Sequence, residues 1–127
     1  MEIGPRKLQR LRLSSEFRAV REKGAAVTGK WLVFGFWRAD GTQSGSVPKF
    51  GVITSRKVGG AVTRNLVRRR IRHIHLTFHR NVVDGVWCVV IARFRASQAS
   101  YAELEAEWCK LAQRSGVLKS CAPSFAS

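Results

Sequence analysis

Between Asp40 and Asp84 the chain contains no acidic residue, yet this segment also carries the clearest helical pattern in the sequence. Val67, Ile71, Ile74 and Phe78 recur at helical spacing and form one apolar stripe in a helix expected from about Ala61 to Arg80. At 3.6 residues per turn, Arg64, Arg68, Arg72, His75 and His79 fall in a neighbouring arc of roughly 80°. Such a helix must pack along its stripe and turn a cationic face outward, which Arg69, Arg70 and Arg80 widen. The acidic i,i+4 partners that steady an ordinary solvated helix are missing. Arginine adds a chemical bias, because its planar fork bonds phosphate oxygens in pairs and stacks on bases. Gly59-Gly60 precede the helix and let backbone N–H groups at its start approach a phosphate.

The rest of the composition points the same way. Lys and Arg number 23 against 8 Asp and Glu, a formal charge of +15. A folded chain tolerates that self-repulsion when a polyanion neutralises it, and nucleic acid is the partner expected. With 45% apolar residues the chain is not a disordered polycation. Its 127 residues suit one domain over 1–127, with a basic arm over about 1–12 and a frayed tail over about 117–127. The N-terminus lacks the apolar stretch of a signal peptide, and no apolar run approaches membrane-spanning length, so no membrane partner is expected. Cys88, Cys109 and Cys121 are an odd set without a C-x-x-C pair, which excludes a disulfide framework and a zinc ribbon. The compartment expected is reducing, most simply the cytoplasm.

Catalysis by the protein itself finds no motif: there is no paired-carboxylate arrangement, P-loop, H-E-x-x-H or nucleophile elbow. His75 and His79 have the spacing of a metal pair but no evident third ligand.

Around the basic helix the elements alternate. Ser14 can cap a short first helix carrying Phe17 and Val20, with Gly24 to end it, and residues 25–30 suit a short extended piece. Trp31 to Arg38 reads as a strand apolar on both faces, and Asp40-Gly41 is a hairpin signal leading to a second strand, Lys49 to Ser55. Val86 to Phe94 is a third clear strand. Ser100 and Glu103 form a capping box for a last helix buried through Tyr101, Leu104, Trp108 and Leu111, with Gly116 to terminate it. The expected class is α+β, an α/β sandwich of three helices on a small sheet of about four strands, in the order α-β-β-β-α-β-α.

Ser55 to His75, SRKVGGAVTRNLVRRRIRHIH, resembles the signature of the bacterial ribonuclease P protein subunit. Ser55, Arg56 and Lys57 match the family's leading turn, Val58-Gly59 and Ala61-Val62 follow, Arg64-Asn65 open the helix, and Arg68, Arg69 and Arg72 take its basic positions. The early helix with Phe17, the strand end Ile91 to Arg93 and the start of the last helix extend the likeness over roughly residues 8–115. Leu66 replaces one signature arginine, His73 stands where an acidic or amide residue usually ends the run, and Arg21 fills a position often aromatic.

The resemblance implies a left-handed βαβ crossover and a role in removing the 5′ leader of precursor tRNA. The chemistry there belongs to a catalytic RNA that holds most of the Mg2+, with one protein per RNA. Arg56, Lys57, Arg64, Asn65, Arg68, Arg69 and Arg72 are then the residues expected on the catalytic RNA. Phe17, Phe34, Phe36, Phe50, Val52 and Ser55 are the candidates for a cleft holding the single-stranded leader, where aromatic faces would stack on bases. A basic ribosomal or ribosome-assembly protein is the alternative on charge alone.

Overall fold

A computed structural model describes residues 9–38 and 48–119 of the chain; the Asp40-Gly41 hairpin signal and Cys121 lie outside them. The elements run β1 (Gln9–Arg10), α1 (Ser14–Lys23), β2 (Ala25–Thr28), β3 (Leu32–Arg38), β4 (Lys49–Thr54), α2 (Ala61–Phe78), β5 (Val86–Ala92) and α3 (Tyr101–Arg114). They form one mixed sheet in the order β1-β4-β5-β3-β2. Strand β4 runs parallel to both β1 and β5, and the other pairs are antiparallel. The class is α+β with three helices, as expected, but with five strands rather than about four. The extra strand is β1, whose two residues lie in the segment read as a basic arm and are too short to show any periodicity.

Register assigns the two faces of the sheet. Phe36, Cys88 and Phe50 share one row, Phe34, Val90 and Val52 the next, and Leu32, Ala92 and Thr54 the third. Most of these side chains are buried with Val67, Ile71, Ile74 and Phe78 of α2 and with Leu104, Trp108 and Leu111 of α3. Each such burial contributes about 1.5–3 kcal/mol, which is why the stripe read from the sequence specifies how α2 docks. Trp108 is the centre of this core. It is fully buried, edge-on to Phe34 at 5.6 Å and stacked on Phe78 at 5.5 Å.

The intervening residues face the other way, towards α1. Leu11, Val20 and Val89 are buried there, with Phe17, Trp37 and Trp87 packed around them. Gly51 makes room for Phe17 in this layer: a Cβ on it would fall 2.5 Å from Cε1 of Phe17, so the ring would have to shift. Helix α1 starts one residue earlier than a Ser14 cap would allow: Leu13 holds the N-cap position, and the Glu16 carboxylate accepts from the N–H groups of Arg12 (2.7 Å) and Leu13 (3.0 Å). A long charged side chain therefore does the capping that the sequence assigned to a hydroxyl.

Two further contacts close the fold. The Ser100–Glu103 capping box forms as expected, with the Ser100 hydroxyl accepting from the Glu103 N–H at 3.1 Å and the Glu103 carboxylate accepting from the Ser100 N–H at 2.8 Å. Glu107, one turn further along α3, accepts from the backbone N–H groups of Lys30 (2.8 Å), Trp31 (2.6 Å) and Leu32 (2.7 Å), and so ties α3 to the entry of β3. Val117 and Leu118 are buried, and Leu118 bridges Val82, because the chain after Gly116 folds back over the exit of α2.

Candidate RNA-binding site

Strand β4 leads into α2 through a single 3-10 turn, Arg56–Val58, pinned by the buried Val58. Gly59 then adopts φ +150°, a conformation open to glycine, and Gly60 takes the N-cap position, where no side chain caps the helix. Arg56 and Lys57 are exposed on this turn.

The basic face of α2 follows. Arg68 is fixed by two hydrogen bonds, donating to the Thr54 hydroxyl at the end of β4 (2.7 Å) and to the Asn65 side-chain oxygen (2.9 Å). Arg72 projects beside Arg10 of β1; partial burial, then the charges of Arg10 and Arg68, lower its pKa. The Nε of Arg64 is buried without a protein partner. Together Arg10, Asn65, Arg68, Arg69, Arg72, His73 and Leu76 line an open groove of about 660 Å³. Among the described residues no carboxylate lines it, and its cluster of cations is suited to a chain of phosphates. Arg10 was missed in the sequence because nothing there signals that β1 brings it opposite α2. Arg70 does not widen this face: its guanidinium donates to the Ala99 carbonyl at 3.2 Å and secures the approach to α3.

The two lower histidines do not belong to the basic arc. His75 is 1% exposed. Its ring lies against Phe50 at 4.8 Å and Trp108 at 5.8 Å. Burial, and then the Arg72 charge, push its pKa down to about 3. On the helical circuit it falls between Ile71 and Arg68, and the core claims it. His79 is buried as well, since the end of α2 is enclosed from Thr77 to His79. Among the described residues no three His, Cys, Asp or Glu side chains converge on one point. No described helix is long and apolar enough to cross a membrane.

The proposed leader residues divide by face. Phe34 is fully buried against Trp108 and cannot offer a ring to a base. Phe36 packs on the same core, 6.4 Å from Phe34. Phe50 and Val52 also point to the α2 side, but they reach a small recess of about 60 Å³ that Phe17, Gly51, Arg10 and Arg72 help to line. Ser55 is exposed at the end of β4. The α1 side of the sheet offers residues that sequence reading passed over. Val33, Ile91 and Ile53 form one row across β3, β5 and β4, and both isoleucines are 38% exposed. The buried and exposed faces of β3 are both apolar, so hydrophobicity alone carried no signal for choosing between them.

Comparison with known proteins places this arrangement. The sequence profile of the family described as Ribonuclease P matches residues 6–116. The ribonuclease P protein component of Acidothermus cellulolyticus is 41% identical over 105 residues, covering 83% of this chain and 86% of that protein. That of Geobacillus kaustophilus is 31% identical over 116 residues, covering 90% and 92%. Among solved structures, the Staphylococcus aureus RNase P protein shares the fold at TM-score 0.78 and 21% identity, over 88% of this chain and 99% of that one. The Thermotoga maritima RNase P protein matches at TM-score 0.68 and 26% identity, over 84% and 96%. The chain belongs to the family of ribonuclease P protein components and has a role in that ribonucleoprotein.

Proposed function

We propose that the chain binds the catalytic RNA of ribonuclease P along the α2 groove and holds the single-stranded 5′ leader of precursor tRNA on the sheet face beside α1. Endonucleolytic removal of the leader is then the work of the RNA, which holds most of the magnesium, with one protein per RNA in the cytoplasm. The observation that carries this reading is the groove of Arg10, Asn65, Arg68, Arg69 and Arg72, which no carboxylate among the described residues lines. Arg64 and the exposed Arg56 and Lys57 extend the same positive surface toward the helix start.

For the leader, Phe17 remains the aromatic candidate, since its ring lies on Gly51 at the edge of the open face. Val33, Ile53 and Ile91 replace Phe34 and Phe36 as the apolar floor, and Ser55 stands at its end. Such a floor meets bases without reading their edges, which suits leaders of varied sequence. The protein's contribution to rate is positioning: it lowers the entropic cost of bringing the scissile bond to the RNA's reactive centre.

Reconstitution at low magnesium tests this. Wild-type protein should stimulate leader removal by the catalytic RNA, and an Arg64→Ala/Arg68→Ala/Arg72→Ala variant should lose the stimulation. If six to ten phosphates are contacted, affinity falls by about 10³–10⁵ between 50 and 200 mM salt. Folded wild-type protein that gives no stimulation overturns the proposal, as does cleavage by the protein alone.

A further inference from the structure

Of the three histidines in the chain, only His73 is exposed; His75 and His79 are buried. His73 also lines the groove, in company with Arg10, Arg69 and Arg72. Its Nδ1 lies 2.7 Å from the hydroxyl of Tyr101 on α3, and the two rings meet edge-on at 5.6 Å. One ring nitrogen is thereby committed to α3. Nε2 is the nitrogen left to meet a ligand in the groove.

The surroundings decide what that nitrogen can do. From its own helix His73 faces Arg69 and Arg72, and from β1 it faces Arg10. From α3 it meets Tyr101, whose hydroxyl is kept in its neutral form chiefly by burial and then by the charge of Glu105. Among the described residues no carboxylate lines the groove; the acidic group in these surroundings is Glu105, which acts on Tyr101. A phosphate bound between these arginines would place a negative charge beside the imidazole, and an adjacent anion favours the protonated form.

We infer that His73 is a proton-dependent phosphate ligand, donating from Nε2 to the RNA backbone while Tyr101 holds its other nitrogen. The inference rests on the groove being the RNA face, as proposed above. A neutral imidazole can donate into the groove in only one of its two tautomers. The imidazolium donates from both nitrogens at once, to the Tyr101 oxygen and to a phosphate oxygen. RNA binding therefore takes up a proton from solvent, and by linkage acid tightens the complex. Arginine charge is constant through the range in which histidine titrates, so the arginines of the groove do not contribute to the response.

The test is affinity for transcribed ribonuclease P catalytic RNA at about pH 6 and about pH 8, in fixed salt, for wild type, His73→Asn, His73→Lys and Tyr101→Phe. Wild type should bind roughly tenfold tighter at the lower pH, with a salt dependence steeper by about one phosphate contact. His73→Asn should be weak at both values and His73→Lys tight at both. Tyr101→Phe, which keeps the ring and removes the hydroxyl, should shrink the wild-type response. A wild-type difference below about twofold, or the same response in His73→Asn, overturns the role of His73. Absence of salt-dependent RNA binding at either pH overturns the proposed function itself, a separate outcome.

Discussion

Replacing Glu107 tests whether one carboxylate holds α3 to the sheet. Its two oxygens receive the N–H groups of Lys30, Trp31 and Leu32 at 2.6–2.8 Å, in the turn that feeds β3. Three hydrogen bonds to a charged acceptor, at about 1.5–3 kcal/mol each, set a ceiling of roughly 5–9 kcal/mol. The site is only half-buried, so water refills part of what Glu107→Ala removes. The expected loss is about 2–4 kcal/mol for Ala and about 1–2 kcal/mol for Gln, which keeps one acceptor oxygen but turns an amide toward a donor. Urea unfolding followed by tryptophan fluorescence, at fixed ionic strength, gives the difference directly. Glu105→Ala, two residues before the clamp, serves as control and should stay within about 0.5 kcal/mol. A Glu107→Ala loss inside that same margin would refute the clamp and show that water serves these N–H groups equally well.

Two other outcomes follow from the packing. Gly51→Val would place a side chain where the Phe17 ring now lies, since even a Cβ there is 2.5 Å from that ring. Its expected cost is about 1–3 kcal/mol in stability, and the preference of the reconstituted enzyme for leader-bearing over mature tRNA should fall on the order of tenfold. For His75, the folded ring stays neutral down to about pH 3 whereas the unfolded ring takes a proton near its ordinary value of 6.5. The stability this neutral ring contributes is complete above that value and drains as pH falls toward 3, by at most about 1.4 kcal/mol per unit. Urea midpoints of His75→Phe should decline less steeply below about pH 6.5 than those of wild type.

The sequence carried the elements well, because each rests on local chemistry. The α2 stripe and the Ser100–Glu103 box are written in consecutive residues and appear where expected. What it could not carry is register. Strand β3 is apolar on both faces, and only its pairing with β5 shows that Phe34 and Phe36 point into the core while Val33 faces outward. His75 fails for a related reason: it sits at the border of the basic arc, and the tilt that buries it is set by Phe50 and Trp108, distant in sequence. Arg10 and Glu107 depend on long-range pairings, so neither had a local signature.

Arg10 and Arg72 line both the large groove and the small recess beside Phe17. Two ligands that share the same pair of charges cannot be independent. An anion that settles in one compartment alters the potential in the other, and the coupling must be equal in both directions. If the two compartments take the catalytic RNA and the leader as proposed, whatever the RNA does to leader affinity the leader does in the same measure to the affinity of the protein for that RNA. Arg10→Gln should therefore change the interaction between the two binding events more than either event alone, a quantity that a double-mutant cycle with Arg72→Gln isolates.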